Sequence, residues 1–228
     1  MWQIVIARSY EDLSWTEKLD PKFQVVVYNK GLGDFGIKIK NVGRETDTYL
    51  HHIVENYENL PEHLIFTQGE PFQHAPDFIE KINSISGNFQ PLSTRYSEQE
   101  PPPDHFRDDG MYDVDVYNDV VWYIRHPIIQ WNPIDTCYRQ YKSIPPGENG
   151  FCTFAKEIGV PFDKDTKKIK FFYSGIFYIH RDLILQYPKE TYQKWLELNR
   201  KHYSYGYLFE KMWYYIFVQA PCISSTVQ

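Results

Sequence analysis

The chain has 228 residues, 42% hydrophobic and 24% charged, with a formal net charge of −6. That length is enough to bury a substantial core, and an acidic balance with no long basic run excludes a nucleic-acid binder that relies on a basic patch. Three cysteines, Cys137, Cys152 and Cys222, lack metal-ligand spacing and cannot all pair with one another, which predicts a reducing, cytoplasmic setting.

The first predicted element is the β-branched run QIVIA (3–7), a strand buried on both faces rather than a signal peptide. A short helix over 15–19 follows, with Asp12 or Ser14 as its cap. FQVVVYNKG (23–31) is the second strand. TDTYLHHIVENYENLP (46–61) carries Tyr49, Leu50, Ile53, Val54 and Tyr57 at helical spacing and ends at Pro61. HLIFTQG (63–69) is the third strand, and PDFIEKINSI (76–85) opens with Pro at a helix's first turn. The acidic, Pro-rich segment 96–110 reads as an irregular excursion. Beyond it come a short helix (151–162), then two strands around a Ser174-Gly175 break in 168–188. A helix begun by His180-Arg181-Asp182 and amphipathic or apolar helices at 189–200 and 205–217 complete the chain. No apolar stretch approaches the ~20 residues needed to span a bilayer.

This alternation predicts an α/β fold with a mainly parallel central sheet flanked by helices. Ligands of such sheets sit at the carboxyl ends of the strands. Here those ends are Ala7–Asp12, Asn29–Lys30 and Gln68–Glu70. In NVGRE (41–45), Gly43 permits a positive φ and Arg44 offers a planar fork for a phosphate or carboxylate. The helix that follows adds free N–H groups, which favour an anion. The same residues would also serve as a helix cap with a surface Arg–Glu pair. Arg8, after the first strand, stands where a base or ribose would be held, while Asp12 suits that role or a helix cap.

The third strand ends in Gln68-Gly69-Glu70. Of these three only Glu70 is a strong metal ligand, so Mn²⁺ or Mg²⁺ would arrive with substrate phosphates rather than be held tightly by the protein. Asp113 and Asp115 form an Asp-x-Asp triplet of low specificity. His51, His52, His63 and His74 lack zinc spacing, and no Gly-x-Ser-x-Gly elbow supports a hydrolase. A Ser-Gly break between apolar strands allows close backbone approach to a ligand. Glu210 is the one acid of an otherwise apolar helix; its pKa is expected to rise and suit a general base, although a structural ion pair would account for it equally well. Aromatics reach 18%, including 19 Tyr and 6 Trp, which fits an aromatic core and an aromatic-lined cleft alike.

The segments NVGRETDTYLHHIVENYENLP, IFTQGEPFQH, SGIFYIHRDLILQYPKETYQKWL and LFEKMWYYIF together resemble a domain-of-unknown-function family of fungi, algae and large algal viruses, whose members are similar to GT-A glycosyltransferases. The resemblance implies one GT-A-like, Rossmann-type domain, residues 1–95 binding nucleotide and 96–228 binding acceptor. It places Arg8, Asn41, Gly43, Arg44 and Glu45 at the donor nucleotide and diphosphate. Gln68, Gly69 and Glu70 stand where related enzymes carry Asp-x-Asp, and Ser174, Gly175 and Glu210 where donor sugar meets acceptor. The reading is transfer from a nucleoside-diphosphate sugar to a glycan or glycoconjugate. Arg44 and Lys30 stabilise the leaving diphosphate and Glu210 is the base of an inverting step. The alternative is a catalytically inactive nucleotide-sugar or carbohydrate-binding module.

Overall fold

The computed structural model describes residues 1–93, 112–115, 138, 140–145, 148, 150–163 and 168–220. The run at 3–7 becomes the buried middle of β1 (Trp2–Arg8). β2 (Phe23–Asn29) lies parallel to it, with Ile4 opposite Val25. β3 (Ile37–Lys38) extends that side as a two-residue edge. β4 (His63–Gln68) lies parallel on the other side of β1. β-branched residues on successive positions fill both faces, so Val5 joins one core cluster and Ile4 and Ile6 the other.

The remaining strands correct the expectation of a mainly parallel sheet. β5 (Phe89–Pro91), β6 (Tyr112–Asp115), β7 (Lys168–Phe171) and β8 (Phe177–His180) follow in sequence. The six-stranded sheet has the order β3-β2-β1-β4-β8-β5, and β8 runs antiparallel to both β4 and β5. The sheet is therefore mixed. The chain leaves β4 and returns as β5 one strand further out, so a slot remains between them. β8 fills that slot from the opposite direction, with His180 against His63. β6 and β7 form a separate antiparallel pair.

Helix α1 (Arg44–Asn56) begins two residues earlier than the sequence pattern suggests and gives way to a 3-10 turn at Tyr57–Asn59. α2 (Phe78–Asn83), α3 (Gly150–Ile158), α4 (Arg181–Ile184), α5 (Lys189–Asn199) and α6 (Ser204–Tyr214) follow, and the last runs into a π turn at Tyr215–Gln219. The expected helix at 15–19 is a 3-10 turn at Ser14–Lys18. α1, α5 and α6 cover one face of the sheet; Trp15, Phe78 and Ile82 cover the other. No described helix is long and apolar enough to cross a membrane.

Two loops at the carboxyl edge of the parallel strands touch backbone to backbone. Lys30 N–H donates to the Arg8 carbonyl at 2.8 Å. A Cβ added at Gly31 would lie 1.6 Å from the Ser9 carbonyl oxygen.

Candidate functional site

Gly43 and Arg44, which open α1, both hold left-handed backbone (φ 61° and 56°). Glycine is required at the first of them. A Cβ there would stand 2.1 Å from Asn199 Nδ2, which donates to the Gly43 carbonyl at 3.0 Å. Thr46 Oγ1 donates to the Gly206 carbonyl at 3.1 Å. The fully buried Asp47 accepts from Arg200 Nε at 2.6 Å and Nη2 at 3.3 Å. The start of α1 is thus tied to the end of α5 and the start of α6. Removing one partner of a buried charge pair leaves the other uncompensated. Because the Arg200 side chain is 42% exposed, Arg200→Ala should cost about 1–3 kcal/mol, less than a wholly buried pair would. Denaturant unfolding of the variant checks this.

Lys30 Nζ donates to the Val42 carbonyl at 2.7 Å and to the Arg44 carbonyl. Burial pushes its pKa down to about 8, against the pull of Asp47 and Glu45. The sequence reading gave Lys30 to a diphosphate; in the structure its ammonium braces the loop that presents Arg44. Arg44 lies over the Tyr207 ring at 4.0 Å, donates from Nη1 to the Tyr207 hydroxyl at 2.7 Å and faces Glu45 at 3.4 Å. Its side chain remains 39% exposed, which leaves the other guanidinium N–H groups for a ligand.

Glu210, on α6, meets the second pair of left-handed residues. Ser174 (φ 65°) donates its backbone N–H to Glu210 Oε1 at 2.7 Å, and Gly175 (φ 58°) follows it. Desolvation raises the Glu210 pKa to about 7; Arg44 opposes the rise and Glu45 adds to it. The residue as a whole keeps partial solvent access, and a carboxyl with this pKa exchanges its proton near neutrality. Over Gly175, where another residue would carry Cβ, the nearest atoms are Glu210 Cγ (3.7 Å), Tyr49 Cε2 (3.8 Å) and Trp213 Nε1 (3.9 Å).

Lys30, Gly43, Arg44, Glu45, Ser174, Gly175 and Glu210 therefore form one group. Arg8, Gln68, Gly69 and Glu70 belong to a second, at the ends of β1 and β4. Arg8 donates to the Glu11, Ser9 and Leu32 carbonyls and to Asn29 Oδ1 at 3.0–3.2 Å, and covers the Phe35 ring at 4.4 Å. It ties loops together rather than standing free. Gly69 accepts from Trp15 Nε1 at 2.8 Å and is packed against Glu11. Asn41 is exposed in the loop before α1.

At the end of β4 the side chains are engaged with the local backbone. Glu70 Oε1 and Oε2 accept from the backbone N–H groups of Phe72 and Gln73 at 3.2 and 3.4 Å. Gln68 Nε2 donates to the Glu70 carbonyl. Glu70 is the cap of its own turn, and among the described residues no group of three or more His, Cys, Asp or Glu side chains could hold a metal ion. The Asp113 and Asp115 backbone lies in β6, but their side chains fall outside the described residues, as do Cys137 and Cys222.

Tyr49, Tyr207 and Trp213, which stand beside Arg44 and Gly175 in the structure, are not among the candidates drawn from the sequence. Their signal was present in part. Tyr207 and Trp213 stand three residues either side of Glu210 on α6, one turn away and on its face. Tyr49 was indistinguishable from the apolar stripe of α1.

Residues 4–94 match the family described as protein of unknown function (DUF3431). The DUF3431 match takes in β1 to β5 and the Gly43-Arg44 turn, and covers less than half of the chain. Ser174, Gly175 and Glu210 lie beyond it. No curated protein and no solved structure matches the chain.

Proposed function

We propose that the protein is a glycosyltransferase of GT-A type that moves a sugar from a nucleoside diphosphate to a glycan or glycoconjugate, with inversion. The observation that carries this reading is Glu210: its carboxyl is held by the Ser174 N–H, lies beside the cation of Arg44 and has its pKa raised by desolvation to about 7. The acceptor hydroxyl gives its proton to Glu210 as its oxygen attacks the anomeric carbon. The bond from that carbon to the diphosphate oxygen breaks, and the nucleoside diphosphate departs with the electron pair. Arg44 neutralises the charge that develops there. Lys30 acts at one remove, by fixing the carbonyls of the loop that carries Arg44. No step is assigned to a metal.

Arg44→Ala should weaken binding of the nucleotide sugar by about 1.5–3 kcal/mol, the worth of a hydrogen bond to a charged group, with the fold intact. Calorimetric titration of a panel of nucleoside-diphosphate sugars into wild type and variant tests this; equal affinities would remove Arg44 from the site. The capped Glu70, standing where related enzymes are expected to hold a metal, favours one second reading, a module that binds nucleotide sugars without turning them over. Consumption of the donor in the presence of acceptors separates the two. Divalent metal alone should bind the free protein weakly, since Mg²⁺ and its kind take few protein ligands without phosphates. Tight Mn²⁺ binding in a calorimetric titration would redirect attention to Asp113 and Asp115.

A further inference from the structure

The excursion between β2 and β3 reverses the usual order of a surface loop. Leu32 is 78% exposed, and Phe35, Ile37 and Val42 are exposed with it. Large apolar side chains gathered on one exposed segment mark an interaction surface. The backbone carbonyls of the same loop are turned inward. Asn29, itself fully buried, donates from Nδ2 to the carbonyls of Leu32, Gly33 and Phe35 at 3.2–3.4 Å. Its Oδ1 accepts from the Gly31 N–H at 3.0 Å. Lys38 Nζ donates to the Gly31 carbonyl at 2.9 Å. The loop is thus braced from within while its apolar side chains face water. This pairing bears on what can cover it. A segment entering an apolar phase strands every polar group left unpaired, and four carbonyls of this one already have partners.

The charge of the segment narrows the partner. From residue 30 to 44 the chain carries Lys30, Lys38, Lys40 and Arg44 against Asp34 alone, although its net charge is −6. Lys38 and Lys40 are exposed. Lysine is depleted at protein–protein interfaces, whose anchors are mostly Tyr, Trp and Arg. Lysines among Leu, Ile and Phe suit an anionic bilayer instead. Their long stems keep the ammonium at the headgroups while apolar neighbours go deeper.

We propose that residues 31–42 dock the protein on an anionic membrane surface, Leu32, Phe35 and Ile37 entering the acyl boundary and Lys38 and Lys40 resting among the headgroup phosphates. Asp34, the one acid there, keeps the insertion shallow. The segment runs directly into the Gly43-Arg44 turn, so docking brings that turn to the bilayer. The inference does not depend on sugar transfer.

The test is flotation of the whole chain with vesicles, without nucleotide sugar. The wild type should float with vesicles of phosphatidylcholine and phosphatidylserine in equal amounts, not with phosphatidylcholine alone, and added salt should release it. The double variant Leu32→Ser, Ile37→Ser should bind about tenfold more weakly through lost apolar insertion. Lys40→Glu should weaken binding about tenfold and flatten its salt dependence. These side chains are exposed, so the variants should remain folded, which circular dichroism checks. No flotation with either vesicle, equal flotation with both, or undiminished flotation of the folded double variant overturns the inference. Self-association that the double variant abolishes, seen by sedimentation velocity with no vesicle binding, would give the face to a second copy and likewise overturn it. Donor turnover by a chain that binds no vesicle would defeat the docking and leave the transferase standing; vesicle binding by a chain without turnover would do the reverse.

Discussion

Glu210→Gln should transfer sugar about 10²–10⁴-fold more slowly than wild type, the usual cost of removing a positioned base, while binding the donor unchanged. The amide keeps the shape and still accepts from the Ser174 N–H, but cannot take the acceptor's proton. In the wild type the rate should climb with pH and level off above about 7, as Glu210 ionises. The same group makes a prediction about stability with the opposite sense. Its pKa rises from 4.5 in the unfolded chain to about 7 when folded, so between those values the folded state binds more protons and stability falls as pH increases. The penalty is absent below pH 4.5 and complete above pH 7. Glu210→Gln should therefore melt higher than wild type at pH 8, and the gap should close on acidification. A variant that is slow and also less stable at pH 8 would make Glu210 a structural residue. A variant with the wild-type rate would remove it from the chemistry, leaving Asp113, Asp115 and Asp182 as the acids to test.

The largest effect on the fold is expected from Gly31→Ala. The added methyl carbon would stand 1.6 Å from the Ser9 carbonyl oxygen, a backbone atom that no side-chain rotation can move away. Relief requires the loops after β1 and β2 to part, which breaks the Lys30 N–H to Arg8 carbonyl bond and disturbs the contacts of Arg8. A cost above about 4 kcal/mol falls in the range reserved for such clashes, a large share of the stability of an ordinary domain. The variant should be insoluble, or unfold at markedly lower denaturant. Gly87→Ala provides the comparison. Its φ is positive too (74°), but nothing lies within 4 Å of the added atom, so its loss should be limited to about 1 kcal/mol of backbone strain.

The sequence made the parallel half of the sheet legible because β1, β2 and β4 are continuous apolar runs, and such runs are strands buried on both faces. The helices α5 and α6 were legible from their periodicity. The Gly43-Arg44 turn was legible because glycine before a helix signals an unusual backbone. The place of β8 was not. Its four residues, Phe-Tyr-Ile-His, fit either direction equally well, and only the slot between β4 and β5 decides the matter. β3 and β5 have two and three residues, too few for any alternation to show. Within the site, side-chain direction was the missing information. Lys30 and Arg8 stand at strand ends, as a ligand-binding cation would, yet both turn to backbone carbonyls. Tyr49 lies on the inward face of α1 like its neighbours, and its place in the helical stripe does not set it apart from them.

The insertion of β8 into that slot also dictates when the site can exist. His63 pairs with His180, and Arg44 reaches Tyr207 across 163 positions of sequence. Contacts that close so long a loop come late in folding, because their entropic cost precedes any reward. During synthesis the parallel strands β1, β2 and β4 leave the ribosome long before α6 does. They wait with β4 unpaired on its outer side, an open strand edge of the kind that recruits other chains. Glu210, Trp213 and the Ser174-Gly175 turn reach Arg44 only at the end. A nascent or truncated chain would thus carry the family-matched segment without Glu210, Trp213 and the Ser174-Gly175 turn.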